Sequence, residues 1–227
     1  DAPVYTITYY VHWLLMESVA EHGYRISVSG TAADELFSGY YDHHLGYLFE
    51  VRNDANLLRV AQRAWREHVL PIVRNPFLRD PEAFVKNPGL RDHIFLHSDQ
   101  FAEFLKPRWH EPFTERHFTD RLLRNRMLNE LFHENVPVIL HEDDLNAMYF
   151  SIENRSPYLD RELFEVANQI PTRHLIVDGR PKSVLRDAMR GIIPEPVRMN
   201  RRKVGFNAPI FALLDVRDPD VRASLLD

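Results

Sequence analysis

Three stretches of the sequence combine residue types and spacings that could do chemistry. The first is Ser29-Gly30-Thr31-Ala32-Ala33-Asp34-Glu35-Leu36-Phe37-Ser38-Gly39-Tyr40. A glycine just after a strand lets the backbone approach a ligand, and the amides that open a helix can hold an anion. Asp34 and Glu35 would repel a bare phosphate but suit a Mg²⁺ ion placed between them and phosphates. The plainer reading is a helix start, where the dipole favours acidic residues. The second stretch is Asp178-Gly179-Arg180-Pro181-Lys182-Ser183-Val184-Leu185-Arg186. Lysine is scarce, occurring only as Lys86, Lys106, Lys182 and Lys203, while arginine supplies the other cations. A compact ammonium such as Lys182 suits negative charge developing in phosphoryl or nucleotidyl transfer. The plainer reading is a solvated helix residue. The third stretch runs from Asp143-Asp144 through Glu153, Arg155 and Pro157 to Asp160. Glu153 and Arg155, beside apolar residues, read as a buried ion pair that fixes a turn.

These stretches need elements to position them. Residues 4–22 read as a helix, with Val4, Ile7, Val11, Leu14, Leu15 and Val19 recurring at three and four and Gly23 suited to a left-handed stop. Tyr24–Ser29 is the best strand, short and β-branched, and Ala32–Phe37 reads as the first turns of a helix. This helix–strand–loop–helix order is the kind that builds a parallel sheet, and ligands bind at the carboxyl ends of such strands. After Gly39 the pattern is helical almost throughout. Asn53 or Asp54 caps a helix to about Leu70, and Pro71, Pro76, Pro81 and Pro88 mark a loop-rich stretch. Further helices are expected over Thr114–Glu134, Leu145–Ile152, Arg161–Ile170 (capped by Asp160) and Asp178–Gly191. One strand makes no sheet, so either others hide in the loops or this one joins a sheet completed elsewhere.

Composition narrows the classes. At 227 residues the chain has room for one large domain or two small ones. With 44% hydrophobic and 27% charged residues it reads as globular rather than disordered. No apolar run reaches the roughly 18 residues of a membrane span. A net charge of −5 argues against a general nucleic-acid binder, and the basic run from Arg198 to Lys203 is too short to reverse that. Cysteine is absent, which excludes disulfides, thiolate metal sites and a cysteine nucleophile within the chain. His93 and His97, four apart with Asp92 adjacent, have a metal-pair spacing but no glutamate in the general-base position of His-Glu-x-x-His. The plainer reading is two partly exposed histidines, with His43-His44 also at the surface. No Gly-x-Ser-x-Gly elbow supports a serine hydrolase. The start at Asp1-Ala2-Pro3 is read as that of a fragment or processed product.

Taken in order, the stretches resemble the synthetase domain of the glutamine-dependent asparagine synthetase family. The family's Ser-Gly-x-Gly-Ala-Asp-Glu-Leu-Phe-x-Gly-Tyr corresponds to the run from Ser29 to Tyr40. Its Asp-x-x-x-Met-x-x-Ser-x-Glu-x-Arg-x-Pro-Phe-Leu-Asp corresponds to Asp144, Met148, Ser151, Glu153, Arg155, Pro157, Tyr158, Leu159 and Asp160. Gly179, Lys182, Leu185 and Arg186 match a Gly-x-x-Lys-x-x-Leu-Arg block, and Gly191 with Pro194 a Gly-x-x-Pro block. Arg201, Lys203, Gly205, Phe206 and Pro209 match Arg-x-Lys-x-Gly-Phe-x-x-Pro. Residues 50–130 carry little recognisable motif.

The resemblance implies an α/β fold of the adenine-nucleotide α-hydrolase type with a parallel sheet, of which this stretch supplies a mostly α-helical part with few strands. It implies ATP-dependent, AMP-forming adenylation of a small-molecule carboxylate, usually aspartate, followed by amide formation with ammonia from a glutaminase domain or subunit. Ser29, Gly30 and Thr31 would contact ATP, Asp34 would hold Mg²⁺ on the pyrophosphate, and Lys182 would stabilise transition-state charge. A cytoplasmic location, no nucleic-acid or membrane partner and a homodimer are compatible with it. The sequence departs from the family at Thr31, where asparagine-forming members have Glu and β-lactam synthetases Tyr. It departs again at Leu145 and Ala147, where Arg and Ser are usual. Neither the Ser-Gly-Gly-x-Asp-Ser pyrophosphate loop nor the glutaminase domain occurs within residues 1–227, which read as the C-terminal portion of a synthetase domain. The isolated chain is therefore expected not to turn over ATP. The rival reading is a non-catalytic pseudoenzyme or helical interaction module of the same fold.

Overall fold

The computed structural model describes residues 6–106, 111–203, 205, 215 and 217–226. It is mostly helical with one two-stranded parallel sheet among the described residues, which is compatible with an α/β class. The chain divides into two compact units: residues 1–29, 138–157 and 204–227, and residues 30–137 and 158–203.

The smaller unit begins with α1 (Ile7–Glu21), which stops as expected at Gly23, φ +79°. Strand β1 (Ile26–Val28) follows. The second strand does hide in a loop: β2 (Glu153–Arg155) pairs parallel to β1 with Ile26 opposite Glu153 and Val28 opposite Arg155. One side-chain bond across the strands supports this register, Ser27 Oγ donating to Asn154 Oδ1 at 2.8 Å, and the main-chain bond from Ser29 N to Arg155 O at 2.8 Å extends the ladder. The expected buried Glu153–Arg155 pair exists at 2.9 Å but is exposed, since both side chains lie on an uncovered strand. The core of this unit is small: Met16, Ala147 and Ile152, flanked by Val19, Ala20 and Phe150. Trp13 adds ring contacts with Phe150 at 5.0 Å and Tyr149 at 5.6 Å. No helix among the described residues is long and apolar enough to cross a membrane.

The larger unit holds α2 (Ala33–Phe37), α3 (Tyr41–Glu50), α4 (Ala55–Ala64) and α5 (Ala83–Lys86). It also holds α6 (Ser98–Ala102) and α7 (Leu122–Asn129). Asp54 caps α4 by accepting from Asn56 N and Leu57 N, and a π-helical turn extends the helix over Trp65–Val69. One apolar cluster joins Leu45, Leu48, Trp65, Val69, Val73, Leu78 and Phe84. A second joins Tyr47, Val51, Leu123, Met127, Leu175 and Ile176. Because α3 contributes to both, it is buried from Asp42 to Leu48.

Several helix limits differ from the sequence expectation. The helix expected from Thr114 starts only at Leu122 and runs on as a π-helical turn to Glu134. Side-chain amides claim the backbone before it: Asn129 accepts from Arg116 N at 2.7 Å and Asn125 accepts from Phe118 N at 2.8 Å. Such local bonds offer the chain an alternative to helix. The Leu145–Ile152 helix is the end of a longer one, α8 (Val136–Tyr149). Asp160 caps α9 (Arg161–Gln169) as expected, accepting from Leu163 N at 2.9 Å. The Asp178–Gly191 helix shrinks to α10 (Ser183–Ala188). Asp178 and Gly179 have φ of +53° and +67° and form a turn, so neither is helical. A short helix, α11 (Glu195–Arg198), follows.

Candidate functional site

α2 enters through Ala32, whose φ is +76°, with Ala33 N donating to Gly30 O at 3.3 Å. The resembling family has glycine at this position, and an alanine there carries the strain of the left-handed region. Asp34 sits in the first turn of α2, and its carboxylate fills the space where a Cβ of residue 39 would be, so any side chain at Gly39 would have to displace it.

Asp34 is held by two ammoniums. Lys182 contacts one of its oxygens and Lys203 the other. Each lysine is about a quarter exposed and the carboxylate less. Burial pushes the Asp34 carboxyl up, but Lys203 and Lys182 outweigh it and hold it below the ordinary carboxylate range. Lys182 has φ +56° and stands at the entrance to α10, where Ser183 Oγ ties the turn by donating to Arg180 O at 2.7 Å. Lys203 is fixed at its carbonyl by Tyr41 OH, at 3.3 Å, and its ammonium lies 4.2 Å from the centre of the Tyr40 ring. The Tyr40 hydroxyl donates to Glu35 at 2.5 Å. Burial and the facing Glu35 push that phenol far up, so it stays protonated. The clamp thus sets two positive charges against one negative one. Such a clamp can accept an anion, and Asp34 fits Mg²⁺ only together with an anionic ligand that draws the ammoniums away.

Of the residues singled out in the sequence, Asp34 and Lys182 come into contact. Gly30 and Thr31 lie in the same unit, Gly30 exposed and Thr31 half-buried. Ser29 belongs to the other unit, where its Oγ lies 2.9 Å from Ser156 Oγ. Lys203 completes the site, although the sequence alone assigns it no role there. Its signal was the scarcity of lysine and its place in the Arg201–Pro209 block, of which Phe206 and Pro209 lie outside the described residues. The basic run has structural partners as well: Arg198 pairs with Glu195 and Asp187, and Arg201 with Asp178.

The histidines are corrected. His43 and His44 are buried, because α3 is enclosed on all sides. Burial also lowers His44 to about 3, so it is neutral. His93 is buried against Asp42, at 3.4 Å, while His97 is exposed with φ +62°. Residues 91–97 form turns rather than a helix, so the two never share a helix face. Asp42, His43 and Glu130 do come together in a geometry a metal could use. Arg126 already serves as their cation, with Nε 3.4 Å from each carboxylate.

Comparison with known proteins bears on the family. The family model described as Asparagine synthase matches residues 1–224. Asparagine synthetase [glutamine-hydrolyzing] 1 of Bacillus subtilis (strain 168) is 44% identical over 72 residues, 32% of this chain and 11% of that protein. Asparagine synthetase [glutamine-hydrolyzing] 3 of the same strain is 24% identical over 182 residues, 78% of this chain and 25% of that protein. A putative asparagine synthetase [glutamine-hydrolyzing] of Mycobacterium bovis is 40% identical over 72 residues, 32% of this chain and 11% of that protein. The matched regions thus span a quarter or less of these relatives. No solved structure matches. With the family match running nearly end to end, the chain belongs to the asparagine synthase family.

Proposed function

We propose that the natural protein is an ATP-dependent ligase that activates a small-molecule carboxylate by adenylation and forms an amide with glutamine-derived ammonia. Residues 1–227 would be the C-terminal portion of its synthetase domain, and β1 and β2 part of a larger adenine-nucleotide α-hydrolase-like sheet. The convergence of Lys182 and Lys203 on Asp34 carries the reading, since two of the four lysines of the chain meet at one carboxylate.

Bound ATP supplies a phosphoanhydride whose cleavage activates the carboxylate. Lys182 and Lys203 would hold phosphate oxygens and stabilise charge building there, acting in place where they need no reorganisation. Asp34 is their counter-ion without ligand and would hold Mg²⁺ with ligand. Ser29, Gly30 and Thr31 would line the approach of the nucleotide. A Cβ placed on Gly30 would meet no atom within 4 Å, so a ligand can come close to the backbone there. Thr31 favours a second reading. Its hydroxyl can neither act as a carboxylate base nor form an ion pair, which suits a nucleotide-binding protein without ligase activity.

ATP titration of the full-length natural protein and of its Asp34→Ala variant tests the binding. Loss of binding in the variant supports the site, and equal binding removes it. Pyrophosphate release with ATP, Mg²⁺ and aspartate then separates the readings: binding without release selects the non-catalytic one.

A further inference from the structure

Next to the clamp lies a buried polar group that the proposed chemistry does not use. His43 is 0% exposed and Glu130 3%. Both ring nitrogens of His43 are engaged: Gly39 N–H donates to Nδ1 at 3.1 Å, and Nε2 lies 2.7 Å from Glu130 Oε2. An acceptor Nδ1 carries no proton, so Nε2 carries it and donates to Glu130. Glu130 and Asp42 are braced in turn by Arg126.

The two residues next to this imidazole are the ones that shape the clamp. Gly39 is where the Asp34 carboxylate displaces any Cβ. Tyr40 sets its ring edge-on to His43, with centroids 5.1 Å apart, and carries the Lys203 ammonium over its face. Asp34 and Lys203 are therefore each seated on a residue that His43 contacts directly.

We propose that His43 is a positioning residue for the clamp: its Nδ1 fixes Gly39, and with it the seat of the Asp34 carboxylate and the Tyr40 platform beneath Lys203. Glu130 holds the ring in the tautomer this requires. The proposal rests on reading the Asp34–Lys182–Lys203 cluster as the ligand site, and its test separates the two.

In the ¹⁵N-labelled full-length natural protein, a scalar coupling across the hydrogen bond links Gly39 N and His43 Nδ1. The Lys203 ε-methylene protons are shifted upfield by the Tyr40 ring. His43→Asn puts a carbonyl oxygen near the place of Nδ1 and keeps that upfield shift. His43→Gln reaches toward Glu130 instead and loses it. Binding of ATP with Mg²⁺ weakens about tenfold in the Gln variant and little in the Asn variant. Absence of the Gly39–His43 coupling overturns the proposal without any variant having to fold. So does a Lys203 shift that is the same in all three proteins, or equal ATP affinity in all three. If the coupling and shifts behave as expected while none of the three binds ATP, positioning stands and the ATP reading fails.

Discussion

In the larger unit, α3 is buried over seven successive residues, among them Asp42, His43 and His44. In the smaller unit, the two β-branched residues of β1, Ile26 and Val28, are 48% and 69% exposed. Hydropathy alone would have assigned these the other way round. Burial here follows instead from which neighbours each element finds. α3 lies between two apolar clusters, and its polar side chains survive inside because partners such as Glu130, Arg126 and Gly39 N–H satisfy them. Among the described residues β1 pairs with a single strand and leaves Ile26 and Val28 exposed, whereas parallel sheets are ordinarily covered on both faces.

The largest expected effect lies in the core of the larger unit. Leu123→Ala, at a fully buried position, costs about 2–5 kcal/mol in chemical denaturation. Ile26→Ser on the open face of β1 costs less than about 0.5 kcal/mol. Similar costs at both positions would undo the contrast between the units.

Gly39→Ala comes next, at about 1–3 kcal/mol, because the new methyl must displace the Asp34 carboxylate. Calorimetry should also show weaker ATP binding. A variant with unchanged stability would mean that Asp34 has another place to go.

Acid titration distinguishes the buried carboxylate from the exposed one. The Asp34 carboxyl is lower in the folded state than its ordinary 3.8, so its stabilising contribution is complete above that value. It is lost as pH falls through the folded value. Asp34→Asn should therefore flatten the acid limb of the stability curve. Glu153→Gln, which breaks the exposed pair with Arg155, should leave that limb almost unchanged. The smallest effect is a gain: Ala32→Gly relieves a left-handed alanine and raises stability by about 1 kcal/mol or less.

Caps and glycine stops were legible in the sequence. Asp54, Asp160 and Gly23 act where spacing put them, because each works through its own backbone neighbourhood, whereas the helix expected to run to Gly191 already ends at Ala188. The start of α7 was not legible, since amides of Asn125 and Asn129 divert the preceding backbone through contacts made only on folding. β2 was hidden because Glu153-Asn154-Arg155 has no strand pattern and is defined by its partner. In the candidate site, Asp34 and Lys182 were legible as motif residues. Lys203, 169 residues from Asp34 in sequence, was visible only as a rare residue type until the fold brought the two together. The burial of His43 was illegible for the same reason: its partner Glu130 lies 87 residues away.

Everything proposed for the site depends on Lys182 and Lys203 forming the anion-holding clamp of a nucleotide pocket. The decisive experiment is equilibrium binding of ATP with Mg²⁺ to the full-length natural protein carrying Lys182→Gln and Lys203→Gln together. The expected affinity is at least about a hundredfold weaker, as for removing charged partners of a desolvated anion. An affinity equal to that of the unmodified protein would contradict the clamp.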